Sequence, residues 1–416
     1  MTDKQDKLIP KLRFPEFNND GEWEFRRLGD IADSFSGGTP AASKADYYGG
    51  DIPFIRSGEV NSPKTSLFIT QPGLENSSAK MVEKGTILYA LYGATSGEVG
   101  LAGVKGAINQ AILAIVPKPG VDKLFLFQYL KYAKGLIVNH FIQGGQGNLS
   151  ASIISNLIIP LPSLSEQKRI AAFLTSLDEL LSKTKAKLEQ LKAHKKALLQ
   201  RLFPAPGETT PEYRFADCNN GSEWPVKRLG ELFCRIVKKN TENNQNVLTI
   251  SAQFGLVSQS DYFHKSVSSN DITNYILIQR GDFAYNKSRS QGYPYGTAKS
   301  LQLYEKGVVS PVYLCFRPRN VKTNTLFYGY YFESESFNLE LGRVAQEGAR
   351  NHGLLNISPS DFFENIRVAI PQPKEQEKIA QSLSSIDSLI LTYSTRLSQI
   401  ERYKNGLLQQ LFPPFE

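Results

Sequence analysis

Residues 162–174 read PSLSEQKRIAAFL, and residues 371–383 read PQPKEQEKIAQSL. They open two stretches, 162–204 and 371–413, that align without a gap and are identical at 18 of 43 positions. Apolar residues recur in both stretches in alternating steps of four and three, which is the spacing of a coiled-coil seam. The sequence therefore predicts two long helices in the same register, each the natural partner of the other.

The predicted seam carries a lysine at the same place in each copy, Lys195 and Lys404. Its apolar members are Leu174, Leu177, Leu181, Leu188, Leu191, Leu198 and Leu202 in the first copy and Leu383, Ile386, Ile390, Leu397, Ile400, Leu407 and Leu411 in the second. A plain dimerisation coil is the more frequent meaning of such heptads. Two matched seams in one chain favour an internal pair instead.

Start and stop signals frame both predicted helices. Ser163 and Glu166 have the form of a capping box, Pro373 occupies a first-turn position, and Leu-Phe-Pro ends both copies. A helix of about 39 residues is about 58 Å long at 1.5 Å per residue. Because only residues 205–214 lead from the first helix into the second copy, we expect the helices to run antiparallel and to act as a molecular ruler.

A second repeat precedes the helices and contains both tryptophans of the chain. FPEFNNDGEWEFRRLG at 14–29 matches FADCNNGSEWPVKRLG at 215–230 at 8 of 16 positions. The offset is 201 residues in this repeat and 209 in the helical one, so the ends repeat while the middles diverge. The predicted divisions are a first globular domain at 1–160, helix 1 at 161–204, a linker at 205–214, a second globular domain at 215–369 and helix 2 at 370–413.

Composition indicates a globular protein with a modest preference for anionic partners. The 416 residues are 41% apolar, and 48 Lys and Arg against 40 Asp and Glu leave a formal charge of +8 and a pI near 9.1. Neither a secretory signal nor a membrane-spanning apolar run is recognisable. Three cysteines without C-x-x-C spacing argue against disulfides and a zinc site, so we expect a cytoplasmic protein.

Each copy mixes short β-rich runs with one helical stretch between the tryptophan repeat and the long helix. The predicted strands are 52–56, 86–91, 111–116, 247–251, 282–286 and 312–316, and the predicted helices lie near 123–140 and 325–341. The predicted fold class is α+β (mixed), with two globular α/β domains joined by two long antiparallel coiled-coil helices in pseudo-two-fold symmetry.

Glycine-rich polar loops interrupt the strands and carry side chains suited to DNA bases. Arg and Lys suit guanine edges or phosphates, and Asn and Gln suit adenine edges. The densest stretch is NKSRSQGYPY at 286–295, although a solvated surface loop is the alternative for any single residue. The candidate DNA-binding residues are Arg56, Ser57, Tyr92, Thr95, Gln143, Gln146, Asn148, Asn286, Lys287, Arg289, Gln291, Tyr293, Gln346, Arg350, Asn351 and His352.

Catalytic signatures are missing from the sequence. We find no glycine-rich cofactor loop, P-loop, Asn-Pro-Pro-aromatic methylation motif or metal-binding carboxylate cluster, and the four histidines lack ligand spacing. Glu166-Gln167-Lys168 fits the tail of a nuclease motif, but it lacks an upstream Asp partner and its neighbours indicate a helix start. The sequence predicts a binding protein with no catalytic residue, metal or cofactor of its own.

Three motifs together resemble the specificity subunits of type I restriction-modification enzymes. They are the tryptophan repeat with its Arg-Leu-Gly ending, GGTP…YYGGDIPFIRSGEV at 37–60, and P-x-x-x-EQ-x-x-I…L-x-x-x-D at the start of both helices. The resemblance covers nearly the whole chain. It implies that each domain is a target-recognition domain for one half of a bipartite DNA site, while the helix pair sets the spacer and helps to dock partners.

The same resemblance implies which partners carry the chemistry. Two methyltransferase (modification) subunits would bind S-adenosylmethionine and methylate adenine, and two restriction subunits would be ATP-dependent translocases and nucleases. Because Lys238-Lys239-Asn240 stands where the first copy has the GGTP loop, we expect an asymmetric site. The alternatives are the specificity subunit of a related type II-like or fused system, a coiled-coil scaffold that does not bind DNA, and a stand-alone enzyme with an active site that the sequence does not reveal.

Overall fold

The computed structural model describes residues 9–141, 148–219, 221–251, 255–262, 271–289, 293–347 and 355–413. The chain divides into two compact units, Met1–Lys185 with Thr395–Glu416, and Ala186–Ser394. Each unit therefore holds one globular domain, the first part of the helix that follows it and the last part of the helix from the other copy. In the described ranges, no helix is both long and apolar enough to cross a membrane.

The first copy of the repeat contains the following elements. Its strands are β1 (Glu24–Arg27), β2 (Ala32–Ser36), β3 (Tyr48–Ile55), β4 (Phe68–Ile69), β5 (Lys80–Val82), β6 (Ile87–Ala90), β7 (Val99–Leu101), β8 (Gly106–Ile108), β9 (Ile112–Pro117) and β10 (Ile158–Leu161). Its helices are α1 (Leu28–Ile31), α2 (Gln71–Glu75), α3 (Lys123–Phe141), α4 (Ala151–Ser155) and α5 (Leu164–Leu202), with 3-10 turns at Pro15–Phe17, Ala45–Tyr47 and Ser57–Glu59.

The second copy contains a related series. Its strands are β11 (Val226–Arg228), β12 (Phe233–Ile236), β13 (Leu248–Ser251), β14 (Gly255–Ser258), β15 (Ile276–Gln279), β16 (Phe283–Asn286), β17 (Thr297–Ser300), β18 (Lys306–Val309), β19 (Leu314–Pro318), β20 (Gln346–Glu347), β21 (Leu355–Asn356) and β22 (Arg367–Ala369). Its helices are α6 (Leu229–Leu232), α7 (Gln259–Tyr262), α8 (Thr325–Tyr331), α9 (Glu335–Val344), α10 (Pro359–Glu364) and α11 (Pro373–Leu411).

A four-stranded antiparallel sheet lies at the centre of each domain. Its order is β2-β9-β6-β7 in the first and β12-β19-β16-β17 in the second. In the first domain β6 is buried along its whole length, as its continuous apolar run suggests. Ile87 and Tyr89 share a core with α3, while Leu88 and Ala90 pack towards β8 on the opposite face. Each sheet is thus the middle layer of its domain.

The two domains differ mainly in the layer beyond this sheet. The first has a second sheet, β4-β3-β8-β5, in which β3 and β8 are parallel. The second has the smaller β15-β18 sheet, and the parallel contact is reduced to an isolated bridge between Val247 and Val308. The skeleton is therefore duplicated, and the prediction of a mixed α+β fold built from two copies is confirmed.

Two predicted elements need correction in the second domain. The single helix near 325–341 is wrong, because it is two helices, α8 and α9. Ser334 explains the break: its hydroxyl donates to the carbonyl of Tyr331 (2.7 Å) and accepts from the N–H of Phe337 (3.5 Å), which caps a new helix. The strand expected at 312–316 begins later, at Leu314, because Val312 is exposed in a turn. The helix near 123–140 is confirmed as α3.

Parts of both long helices pack together within each unit. In the first unit Ile170 and Leu174 of α5 share a core with Leu407 and Leu411 of α11, so the two segments run antiparallel. In the second unit Leu198 and Leu202 of α5 share a core with Ile379 and Leu383 of α11. None of the fourteen apolar seam residues is exposed. Each domain is thus closed by the end of a helix from the other copy.

Aromatic side chains complete this closure. Phe412, just after α11, stacks on Tyr132 at 5.2 Å between ring centroids and meets Tyr129 edge-on at 5.3 Å. In the second unit Phe203, just after α5, meets Phe327 and Tyr331 at 5.6 Å. Such ring pairs stabilise a core beyond simple burial of area. The repeated Leu-Phe-Pro ending therefore packs as well as terminates each helix.

Candidate nucleic-acid interface

The polar loop of the second domain begins where β16 ends. Asn286 accepts a hydrogen bond from the N–H of Ser288 (3.0 Å) through its side-chain oxygen, which turns the chain out of the sheet. Arg289 is exposed, and Lys287 and Tyr293 are half-buried. The hydroxyl of Tyr285 donates to the carbonyl of Tyr295 (2.6 Å) and fixes the other end of the loop to the core. Gln291 lies outside the described residues.

A backbone hydrogen bond brings a second candidate segment to this loop. The N–H of Leu355 donates to the carbonyl of Lys287 (3.0 Å). Leu355 belongs to β21, which pairs with β20, where Gln346 lies opposite Asn356. The loop after β16 and the β20–β21 pair are therefore adjacent, as a joint surface would require. Three candidates in that segment, Arg350, Asn351 and His352, fall outside the described part of the chain.

The first domain has the same arrangement. The N–H of Leu149 donates to the carbonyl of Leu91 (3.1 Å), which places the exposed Asn148 beside the loop that follows β6. That loop carries Tyr92 and Thr95, both half-buried. In both domains, therefore, the segment before a short capped helix is bonded to the loop after the central strand. Gln143 and Gln146 are not among the described residues.

Arg56 and Ser57 belong to a turn that neighbours the same loop. Asn61, just beyond this turn, donates to the carboxylate of Glu98 (3.3 Å) at the end of the loop. The Arg56 guanidinium donates to Glu59 and to the hydroxyl of Ser66 (3.1 Å). Although burial alone would raise the pKa of Glu59, hydrogen bonds from Arg56 and its neighbours lower it to about 2. Arg56 therefore has a structural partner in addition to any contact with a ligand.

The GGTP segment and its counterpart serve packing in this structure. A Cβ atom on Gly37 would lie 1.8 Å from the carbonyl oxygen of Ile108, and one on Gly38 would lie 2.6 Å from the Ser78 side chain. In the second domain Asn240 is buried and donates to the carbonyl of Asn244 (3.0 Å). In both copies, therefore, this segment contacts the second β layer.

Sequence reasoning missed a buried ion pair at the start of each long helix. Arg13 donates to both carboxylate oxygens of Glu166, at 2.8 and 2.7 Å, and Arg214 does the same with Glu375 at the same two distances. In both pairs the arginine side chain is 6% exposed and the glutamate 1%. The available signal was the identity of residues 13 and 214, one position before the tryptophan repeat.

This ion pair corrects the predicted capping box. The hydroxyl of Ser163 accepts a hydrogen bond from the N–H of Glu166 (3.4 Å), as expected of a cap. The carboxylate of Glu166, however, binds Arg13 rather than the N–H of Ser163. The buried arginine satisfies a carboxylate that would otherwise be costly to bury. The helix start is thereby joined to the segment that precedes the tryptophan repeat.

The seam lysines also have partners that the sequence did not reveal. Lys404 binds Asp178 in the first unit, and Lys195 binds Asp387 in the second (2.9 Å). These aspartates are the last residues of the L-x-x-x-D motif in each helix. Burial alone would raise the pKa of Asp178, but hydrogen bonds from Gln128 and Lys404 lower it. Each lysine is therefore a paired charge within a helix–helix contact rather than part of a solvated face.

Among the described residues, no group of three or more His, Cys, Asp and Glu side chains is arranged to hold a metal ion. On the described surface, amides, hydroxyls and cations lie on loops that backbone hydrogen bonds hold in place.

Comparison with known proteins matches both copies to one family. The family profile described as type I restriction modification DNA specificity domain matches residues 20–193 and 221–402. The type I restriction enzyme MjaVIII specificity subunit of Methanocaldococcus jannaschii is 26% identical over 435 aligned positions, which cover 97% of this chain and 94% of that protein. The MjaIX specificity subunit of the same organism is 29% identical over 223, covering 51% of each.

The fold has a relative among solved structures. The S subunit of a type I restriction-modification system from M. genitalium superposes with a TM-score of 0.62 and 17% sequence identity, and the match covers 98% of this chain and all of that one. At this identity the likeness concerns the fold. It agrees with the duplicated α+β architecture described above.

Proposed function

This chain belongs to the type I restriction-modification DNA specificity family, and from that premise we propose that it binds a bipartite DNA target, one half-site per recognition domain. The observation that carries the proposal is the repeated backbone bond, Leu149 to Leu91 and Leu355 to Lys287. In support of the proposal, this bond recurs at the equivalent position of both domains and joins polar segments that differ in sequence. Alike scaffolds with unlike surfaces suit two unlike half-sites.

The proposed reading residues are those of these joint surfaces. In the second domain Arg289 suits a guanine edge or a phosphate and Asn286 suits an adenine edge, with Lys287 and Tyr293 beside them. In the first domain Tyr92, Thr95 and Asn148 take the equivalent place. The candidates outside the described residues, Gln143, Gln146, Gln291, Arg350, Asn351 and His352, remain part of the proposal on sequence grounds.

We further propose that the helix pair sets the unspecified spacer between the half-sites. Two observations support this: both helices are unbroken over 39 residues, and in each unit their segments run antiparallel. A 39-residue helix is about 58 Å long.

The catalytic partners are proposed from family membership. Two modification subunits carrying S-adenosylmethionine would methylate the target, and two restriction subunits would use ATP to translocate and cleave DNA. The present chain would direct these subunits in the cytoplasm and perform no catalysis. The net charge of +8 favours its DNA partner.

Methylation mapping tests the proposal directly. Cells that carry this chain with its modification subunit are compared with cells in which the chain is deleted. We expect a split adenine-methylation motif with two unlike halves around a fixed gap, present only in the first strain. An unchanged methylation pattern, with the modification subunit shown to be active alongside another specificity subunit, would contradict the proposal.

A further inference from the structure

Each long helix carries one acid and one base within the helix–helix contact. Asp178 and Lys195 lie on α5, and Asp387 and Lys404 lie on α11. Asp178 binds Lys404 in the first unit, and Lys195 binds Asp387 in the second. We call these two contacts the helix-pair salt bridges. They are related by the repeat, because the offset of 209 residues converts one pair into the other.

A third element takes part in each of these salt bridges. The side-chain amide of Gln128, on α3, donates to Asp178 (2.8 Å). The hydroxyl of Tyr330, on α8, donates to Asp387 (2.8 Å). Each aspartate is therefore shared by the lysine of the other helix and by a donor from the recognition domain. In each unit, one carboxylate thus binds both the other long helix and the recognition domain.

Burial makes the loss of either salt bridge costly in free energy. The side chain of Lys404 is 8% exposed and that of Lys195 is 18% exposed. Lys195 also binds Glu333 (3.1 Å), which in turn binds Lys299. Burial lowers the pKa of Lys195, but attraction to Glu333 and Asp387 more than offsets this and raises it. A buried charge that loses its partner is strongly unfavourable.

Without the helix-pair salt bridges, the apolar seam would define the alignment of the two helices less sharply. It consists almost entirely of leucine and isoleucine, so a shift by one heptad would still place aliphatic residues opposite one another. The same shift would separate Asp178 from Lys404 and leave the buried lysine among apolar side chains. A single polar position within a coiled-coil seam is known to select one register at some expense of stability.

We propose that the helix-pair salt bridges are positioning contacts that fix the register of the two helices, and through it the DNA spacer that the protein accepts. The inference rests on the proposed function, since it needs a protein that measures a spacer. Four residues would then influence spacer choice without contacting DNA: Asp178, Lys195, Asp387 and Lys404. Their role is to hold each recognition domain at one defined place on the helix pair.

The test removes both charges of one salt bridge but keeps the hydrogen bond that the recognition domain donates to the same position. In the double variant Asp178→Asn with Lys404→Met, the new amide still accepts from Gln128 and neither position keeps a charge. The half-exposed Lys131, 3.8 Å from Asp178 in the wild type, then faces solvent without this partner. A matched control, Glu189→Gln with Lys192→Met, removes an exposed ion pair from the same helix. Each protein is purified with its modification subunit and competed on duplexes whose half-sites are separated by the native spacer or by one base pair more or less.

We expect the neutral variant to keep its half-site preference and its thermal midpoint within a few degrees. Its preference for the native spacer over the altered ones should fall at least tenfold, while the control retains the wild-type ratio. An unchanged ratio would overturn the inference. If the variant does not fold, Asp387→Asn with Lys195→Met decides in its place, and failure of both to fold assigns the salt bridges to stability alone and rejects the inference.

This experiment distinguishes failure of the proposed function from failure of the register-fixing role of the salt bridges. If the wild-type complex recognises no gapped target at all, the proposed function fails and the inference fails with it. If the wild type recognises a gapped target with one spacer and the neutral variants do so too, only the inference fails.

Discussion

Removing one heptad from both long helices should change the spacer rather than the half-sites. The deletion takes out residues 184–190 and 393–399, which lie between the helix-pair salt bridges, so both salt bridges and the seam pattern are retained. Both helices run without interruption through these positions. The variant is therefore expected to fold with the same contacts and a shorter helix pair.

The expected size of the change follows from helix and DNA geometry. Seven residues at 1.5 Å per residue shorten the helix pair by about 10.5 Å. If the pair lies along the duplex, this equals about three base pairs at 3.4 Å each. Three base pairs also turn the duplex by about 100°, whereas a heptad turns an α-helix face by only about 20°. The new optimum should thus lie about three base pairs below the native spacer, with weaker binding because the half-sites are rotated.

The assay is selection from a library of duplexes with fixed half-sites and variable gaps, using the variant in complex with its modification subunit. A control exchanges residues 184–190 and 393–399 with each other, so that length is kept while the sequence changes. The control should retain the native gap. Selection of the native gap by the shortened variant would refute the view that the helices measure distance.

Other predictions concern single sites. Arg289→Ala should cost about 1–3 kcal/mol at one base position of one half-site if it contacts a base edge, but weaken all sequences alike if it contacts a phosphate; selection from randomised half-sites distinguishes these, and no change would remove Arg289 from the interface. Arg13→Met should destabilise the first unit by about 3–5 kcal/mol because Glu166 is left buried without its partner, and Arg13→Met with Glu166→Leu should restore most of the loss in thermal unfolding. The lowered pKa of Glu59, about 2, should stabilise the turn above pH 4.5 and cease to do so as pH falls towards 2. The Ser66 N–H donates to Glu59, so its protection against hydrogen exchange, corrected for the intrinsic rate at each pH, should fall as pH drops across that window in the wild type. It should stay constant in Glu59→Gln, and equal protection profiles would contradict this assignment.

Periodicity and repetition made much of the architecture predictable. The alternation of four and three steps indicates a helix whatever the surroundings, and α5 and α11 each extend over 39 residues. Where tertiary packing decides, the sequence was a weaker guide. The break between α8 and α9 depends on one hydroxyl, that of Ser334, bonding to Tyr331, and no periodic signal marks it.

The site was predictable only in part. Residue chemistry selected the loop at 286–295, but the bond from Leu355 to Lys287 joins residues far apart in the chain and has no local signature. The same holds for Arg13 with Glu166, which are 153 residues apart. Lys195 and Lys404 were recognised as matched positions, yet their aspartate partners became evident only from the packing. Repetition indicates that a residue has the same role in both copies, and the three-dimensional contacts identify the partner that it binds.

The closure of each domain by the other copy's helix end has a consequence for inheritance. Phe412 packs on Tyr129 and Tyr132, and Phe203 packs on Phe327 and Tyr331. A foreign recognition domain imported by recombination must therefore carry aromatic residues that pack on the phenylalanine of the resident copy's helix end. On the proposed function, new DNA targets would arise by exchange of segments inside a domain, provided that the genes exchanged share the aromatic receptor and the Leu-Phe-Pro that fills it.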